Sequence, residues 1–296
     1  MLSVLAAATL WGSIGPSYAL LAERQDADPI DIVTIRAAAA TVLFLMWVLV
    51  RQPAALHVRR RDVPAFMAFG LVTVTAFYPI LIYAFRETSV TVAALLLYLA
   101  PAIVTVTAAL FLGEPLSMRK TAALALSLGG LALVVGAYQP GNLIASPLGI
   151  LLGLASAACY AAYSIIGKPL LDRYPRSAVL AYHLLIGTAG LLIVRQVVEG
   201  NDWPGLGTIV LAAGYNGIFT TLAPIALYTL GLSALPSSEA SLLAMWEPVV
   251  ALALATMLLG EVISPAQVAG AALIFASGTL LVAPGRKSAA LARVPR

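Results

Sequence analysis

The sequence predicts an all-α membrane protein of ten transmembrane helices, arranged as two inverted repeats of five. Three observations predict this. Of the 296 residues, 61% are hydrophobic and only 10% charged, with mean hydropathy +0.97, so most side chains must face lipid or one another. Apolar runs recur between clusters of charge, proline and glycine, and about 20 such residues suffice to cross about 30 Å of hydrocarbon. A shift of 147 residues lays the second half on the first.

The spans follow in order. The first, 2–22, has no basic opening of the signal-peptide kind, and Trp11-Gly12-Ser13 continues its apolar run, so it is read as a retained helix. The second, 31–50, ends at Arg51. The third, 64–85, lies between Arg59-Arg60-Arg61 and Arg86. The fourth, 91–112, stops at Gly113-Glu114-Pro115, and the fifth, 119–138, at Gln139-Pro140-Gly141. The sixth, 147–167, runs to Lys168-Pro169; the seventh, 178–197, follows Arg176. The eighth, 206–231, begins after Trp203-Pro204-Gly205; the ninth, 237–259, ends at Gly260-Glu261; the tenth, 265–284, opens on Pro265. The repeats are therefore 1–138 and 147–284, with a cytoplasmic tail, 285–296.

Thirteen of the seventeen Lys and Arg fall on one side when the N-terminus is inside: Arg51, Arg59, Arg60, Arg61, Arg119, Lys120, Lys168, Arg173, Arg176, Arg286, Lys287, Arg293 and Arg296. Only Arg24, Arg86 and Arg195 fall opposite, and Arg36 lies within a span. The positive-inside rule then sets both termini in the cytoplasm of a bacterial inner membrane. The same rule accounts for the net charge of +4 without nucleic acid as a partner; the bilayer is the partner.

Under the 147-residue shift Ala93, Leu95, Leu96, Pro101, Leu112, Gly113, Glu114, Ser117 and Ala122 meet Ala240, Leu242, Leu243, Pro248, Leu259, Gly260, Glu261, Ser264 and Ala269. Five spans is an odd number, so the two copies enter the membrane from opposite sides. Arg119 and Lys120 accordingly become Ala266 and Gln267 in the second copy.

Leu10-Trp11-Gly12-Ser13, Ala94-Leu95-Leu96 to Pro101, Gly113-Glu114-Pro115-Leu116-Ser117 and the second copies through Glu247-Pro248 and Gly260-Glu261 resemble the drug/metabolite transporter superfamily. The likeness is to its EamA-type ten-helix exporters, and within them to the YddG-type aromatic amino acid exporters. The resemblance spans essentially the whole chain. It implies a carrier that moves amino acids, aromatic or bulky apolar ones favoured, out of the cytoplasm by alternating access. Two departures stand out: Tyr160-Ala161-Ala162 replaces Trp11-Gly12-Ser13 in the second copy, and almost nothing precedes the first helix.

Pro101 and Pro248 lie mid-span at matching positions, and Pro79 and Pro224 form a second pair. Each removes a backbone donor and crowds the carbonyl four residues earlier, so these four are the candidate hinges. Paired interruptions point to a midplane binding site. The candidate substrate-binding residues are the deep aromatics Trp11, Tyr78, Tyr98, Tyr160, Tyr163 and Trp246, with Glu247. Their rings can stack on apolar side chains or attract an ammonium, and phenol and indole groups supply hydrogen bonds. The alternative for each ring is core packing. A mid-membrane carboxylate such as Glu247 costs roughly 2.5 to 3.5 kcal/mol unless it meets water or a partner, which makes it a proton carrier, a counter-charge for an ammonium, or a cap on backbone freed by Pro248. Trp47, Tyr138, Tyr174 and Trp203 lie near span ends and belong to the headgroup belt.

The remaining polar residues read as structural. Arg36 is expected to snorkel outward or to pair with Asp31 or Glu23, and His183 to make an interhelical hydrogen bond. Gly113 and Gly260 suit helix C′ positions, Ser117 and Ser264 N-caps and Pro265 the first helical position, so Glu114 and Glu261 belong to helix connections. Gly149 and Gly153 form a GxxxG contact. The single cysteine, Cys159, permits no disulfide or thiolate cluster. Two histidines, His57 and His183, with no HExxH motif, argue against an intramembrane enzyme, and no catalytic residue, cofactor or metal is expected. A receptor would need a soluble domain, for which there is no room. The composition is compatible with a monomer.

Overall fold

The computed structural model describes residues 1–17, 28–260 and 262–282, and every regular element among them is helical. The expected tail, the ends of the first and tenth spans, Glu23, Arg24 and Glu261 lie outside the described residues.

The chain runs through α1 (Leu2–Gly12) and α2 (Pro29–Arg51). Asp28 opens α2 by accepting from the Ile30 amide at 3.0 Å while Asp31 returns a bond to the Asp28 amide, a capping box with Pro29 at the first helical position. The third run begins as α3 (Val63–Gly70), passes through π-helical Leu71–Ala76 and continues as α4 (Phe77–Glu87). The fourth breaks into α5 (Val90–Leu97) and α6 (Ala100–Phe111), and α7 (Met118–Val134) follows.

The second half contains α8 (Pro147–Leu171) and α9 (Arg176–Glu199). Then come α10 (Leu206–Leu211), π-helical Ala212–Asn216 and Ile218–Leu222, and α11 (Ala223–Ala234). The last elements are α12 (Ser237–Ala244), α13 (Glu247–Leu259) and α14 (Pro265–Val282). Seven continuous helical stretches among the described residues are long and apolar enough to cross a membrane, and Pro265–Leu281 is a shorter apolar helix.

The prolines act as the sequence predicts at two positions. Tyr98-Leu99 and Met245-Trp246 form turns between half-helices, with Pro101 and Pro248 in the first turn of α6 and α13. Pro79 and Pro224 do not break their helices; each follows a π-helical segment. Within those segments the Thr73, Thr220 and Thr221 hydroxyls donate back to the carbonyls of Phe69, Asn216 and Asn216, and the prolines that follow supply no amide to the ladder.

Gly113 and Gly260 have φ of +68° and +71°, and the Glu114 amide closes on the Ala108 carbonyl at 3.1 Å, ending α6 in the left-handed conformation expected of C′ glycine. Ser117 and Ser264 cap α7 and α14, the latter with Gln267 completing a capping box. Gly149 and Gly153 admit Thr88 and Leu96 against the backbone of α8, the close contact foreseen for the GxxxG.

The helices interlock across the two halves. α1 packs on α11 and α13, α8 on α4 and α6, and α2 on α9. α7 and α14 run antiparallel: Arg119 reaches the carbonyls of Leu280 and Leu281, Ser127 pairs with Ser277 at 2.6 Å, and Gln267 bonds the Val134 carbonyl.

Polar ties close the helix ends. Asp62 accepts from the Tyr174 hydroxyl at 2.5 Å and pairs with Arg173 at 3.3 Å; Arg86 pairs with Asp28 at 2.5 Å. Glu114 extends its expected connecting role. Its carboxylate accepts from the Ser237 amide at 2.5 Å, the Ser238 amide at 3.2 Å and the Ser238 hydroxyl, and pairs with Lys120 at 3.3 Å, capping the otherwise open end of α12. Burial works against its charge, but the Ser238 hydroxyl, the two amides and Lys120 outweigh it and hold the carboxyl below its ordinary range. A depressed folded-state pKa means that this stabilisation is complete above the unfolded value of about 4.3 and is lost as pH falls through the folded value. Glu114→Gln is therefore expected to flatten the acid-side decline of melting temperature between about pH 5 and pH 3; an unchanged decline would refute this role.

Candidate functional site: a central cavity between the halves

Because α5–α6 and α12–α13 are broken at mid-depth, side chains next to the breaks turn into the space that the halves enclose. This is a cavity of about 590 Å³. Trp11, Tyr78, Tyr98, Tyr160, Tyr163 and Glu247 all line it. The sequence singled out these six, and the fold brings them together from both halves of the chain.

The rings form a continuous wall. Trp11 lies 6.5 Å from Tyr160 and 5.4 Å from Tyr228, centroid to centroid; Phe77 joins Tyr160 at 5.8 Å and Tyr78 at 5.0 Å; Tyr163 meets Tyr228 at 5.6 Å. Glu247 is the first residue of α13, where the helix dipole favours its charge. The Tyr98 phenol lies beside its carboxyl, and Arg36 lies within electrostatic reach.

Trp246 is a correction. It does not line the cavity; its indole packs 6.2 Å from the Phe275 ring on α14. Adjacent helical residues point about 100° apart, so turning Glu247 inward turns Trp246 out. The four prolines do not line the cavity either; Pro101 and Pro248 follow the breaks in the helices beside it.

Arg36 is the second correction. It neither snorkels nor pairs with Asp31. It is 3% exposed, donates through Nη1 to the Thr220 hydroxyl at 3.2 Å, lies 4.9 Å over the Tyr78 ring, and lines the cavity. Since α2 starts at Pro29, Arg36 is two turns deep, and Asp31 faces Arg195 instead, at 2.8 Å. Glu23 lies outside the described residues.

His183 donates or accepts through Nε2 with the Thr73 hydroxyl at 3.0 Å, the interhelical bond expected of it, and also lines the cavity. Phe77 and Tyr228 are lining residues the sequence reading passed over. The usable signal was position: Phe77 precedes Tyr78, and Tyr228 lies one turn after Pro224.

The cavity reaches the face where α2 and α5 begin and α4 ends, at Pro29, Val90 and Arg86. Its other end carries a layer of polar contacts. Tyr163 and Thr229 hydroxyls meet at 2.7 Å, Ser164 and Tyr228 at 2.9 Å, and Lys168 donates to the carbonyls of Leu232 and Leu235 at 2.9 and 3.2 Å. Beyond this layer lies a second cavity, also about 590 Å³, lined by Phe44, Trp47, Leu180 and Thr229 among others.

The profile of the EamA-like transporter family matches residues 1–136 and again 147–283. The chain belongs to the EamA-like transporter family. It is thus a member of the drug/metabolite transporter superfamily, as the motifs implied, and its relatives are transporters. This EamA-like transporter is 30% identical over 79% of its length to the probable terminal-alkyne amino-acid exporter of Streptantibioticus cattleyicolor, covering 75% of that chain. It is 30% identical to the probable amino-acid metabolite efflux pump of Salmonella typhimurium, covering 78% of this chain and 81% of that one. The uncharacterized transporter YwfM of Bacillus subtilis is 28% identical, over 97% and 94% of the two chains. A solved crystal structure shares the fold of this EamA-like transporter, with TM-score 0.82 at 18% identity over 99% of this chain and 98% of that one.

Proposed function

We propose that this protein exports amino acids, aromatic or bulky apolar ones favoured as in YddG-type carriers, by alternating access through the central cavity. The observation that carries the reading is the cavity itself: aromatic faces, phenols and one carboxylate around a space that suits a single amino acid. The two relatives named for amino-acid export support the substrate class. A DMT-type permease for another metabolite or drug is the second reading, since YwfM carries no named substrate.

The ten-helix, inverted-repeat reading has three supports. The π-helical segments Leu71–Ala76 and Ile218–Leu222 start 147 residues apart, as do the breaks at Tyr98 and Met245. The cross-packing is reciprocal, α1 on α11 and α13 as α8 on α4 and α6. The α7–α14 pair is antiparallel, as inverted copies require. With both termini in the cytoplasm of the bacterial inner membrane, the cavity opens outward, and the four prolines flank the segments that would move.

The test is uptake of labelled Phe, Trp, Leu, Thr and a sugar into proteoliposomes, with and without a pH gradient. Saturable Phe, Trp or Leu flux is the expected result. Joint Ala substitution of Trp11, Tyr160 and Tyr163 is expected to reduce it about tenfold or more, since each aromatic pairing with the substrate contributes roughly 0.5 to 1.5 kcal/mol. No flux for any amino acid would overturn the substrate assignment.

A further inference from the structure

At the end of the cavity away from its mouth, α8 and α11 are tied by a ladder of polar contacts. Thr229 gives its proton to the Ile225 carbonyl at 2.7 Å, so in its 2.7 Å contact with Tyr163 the phenol is the donor. One residue away, Ser164 meets the Tyr228 hydroxyl at 2.9 Å. One turn further along α8, Lys168 donates to the carbonyls of Leu232 and Leu235, at 2.9 and 3.2 Å, where α11 ends and its carbonyls have no partner in the helix. Since α11 packs on α1 while α8 packs on α4 and α6, the ladder joins a helix of one packed group to a helix of the other.

The repeat supplies no matching ladder at the mouth. With Trp11-Gly12-Ser13 set on Tyr160-Ala161-Ala162, the counterparts of Tyr163, Ser164 and Lys168 are Ile14, Gly15 and Ala19. With Pro79 set on Pro224, those of Tyr228 and Thr229 are Tyr83 and Ala84; at the general shift of 147 they are Leu81 and Ile82. Ile14 and Gly15 line the cavity, and a Cβ added at Gly15 would meet nothing within 4 Å. Tyr83 is exposed, with Arg86 over its ring at 5.5 Å. Drawing this end together would bring apolar side chains, Ile14, Leu81, Ile82 and Phe85, across a space of about 590 Å³.

We propose that this one-sided ladder makes the protein an exchanger: empty, it rests with the ladder formed, and a bulky apolar solute is needed to carry it to the opposite state. The assignment builds on the amino-acid reading above and adds how the two directions of flux are coupled. On switching, an empty carrier loses the ladder and gains only apolar contacts around an unfilled space. A loaded carrier gains more, because the solute fills that space and gives the closing rim apolar surface to bury. Return without cargo is then the slow step of the cycle, and solute waiting on the far side speeds it.

The experiment compares entry of labelled Phe into two sets of proteoliposomes holding the purified full chain, one empty and one loaded with unlabelled Phe. Loaded vesicles are expected to take up label about tenfold or more faster. Lys168→Met keeps the stem and removes the charge; it is expected to lower that ratio about fivefold or more by speeding entry into empty vesicles, as the loss of hydrogen bonds from a charged group implies. Thr229→Val should lower it about threefold, and serves if size exclusion or melting temperature shows that Lys168→Met does not fold. A labelled sugar should stay at the level of protein-free vesicles throughout; sugar entry that rises together with Phe entry would mean a pore and overturn the proposal. Equal Phe rates in the two sets for the parent, or a ratio unchanged in the folded variants, would overturn exchange and leave amino-acid transport standing. No entry of Phe, Leu or Thr into either set would overturn both.

Discussion

Arg195→Ala is expected to cost about 3 to 5 kcal/mol of stability, the usual consequence of removing one partner of a buried ion pair. Arg195 is fully buried, Asp31 only 5% exposed, and they meet at 2.8 Å. The same guanidinium donates to the carbonyls of Gly200, at 2.6 Å, and Asp202, and lies 3.8 Å over the Trp203 ring. It therefore gathers the start of α2, the end of α9 and the loop beyond into one knot. Alanine would leave a desolvated carboxylate facing no cation and two carbonyls without their donor. Melting in detergent should fall by roughly 10 °C, and adding Asp31→Asn should restore part of the stability, because it removes the stranded charge. A melting temperature close to that of the parent would show that the knot contributes little.

Gly12→Val is expected to remove transport out of proportion to its effect on folding. A Cβ at Gly12 would lie 2.7 Å from the Val250 Cβ and 2.9 Å from the Glu247 carbonyl oxygen, closer than packed atoms allow. Overpacking of this kind costs about 1 to 3 kcal/mol, which a membrane bundle can survive. What must yield, however, is the first turn of α13, which carries Glu247. Displacing a binding group by about 1 Å is enough to reduce function on the order of 10²-fold in positioned sites, so Phe flux should fall far more than yield or melting temperature. Val250→Ala in the same chain should restore part of it by making room. Undiminished flux in Gly12→Val would sink the idea that this contact sets the position of Glu247. The second copy carries Ala161 in a comparable place, packed with Ala100 and Val104.

Much of the fold was legible because lipid leaves the backbone few options: an apolar run must close its own hydrogen bonds as a helix. Helix ends were legible where one residue determines them, as with Gly113, Ser117, Gly260 and Ser264. The breaks beside Pro101 and Pro248 followed from the missing donor. The π-helical turns did not, since runs such as Thr73-Val74-Thr75 carry no periodicity that distinguishes a widened turn from an ordinary one. Six of the seven candidate lining residues share the cavity, but the direction of Trp246 depends on how a broken helix restarts, which spacing alone does not encode. Arg36 does not meet Asp31 and Arg195 does, for a similar reason. Their partners lie 184 and 164 residues away, and only the assembled bundle decides which cation meets Asp31.

The Tyr163–Thr229 contact sets a limit on how this protein can keep its two sides apart. Two hydroxyl pairs, this one at 2.7 Å and Ser164–Tyr228 at 2.9 Å, with the Lys168 bonds, lie between a chamber that reaches one face and a second of equal size, about 590 Å³ each. Parting such a pair costs only about 1 kcal/mol net, so the barrier to leakage is the bulk of the Tyr163 and Tyr228 rings rather than the strength of a bond. A seal made of bulk holds only while its neighbours press on it. Lateral pressure from the surrounding lipid would then be part of the lock, and thinning or loosening that lipid would make the pore permeable before it made the protein unstable.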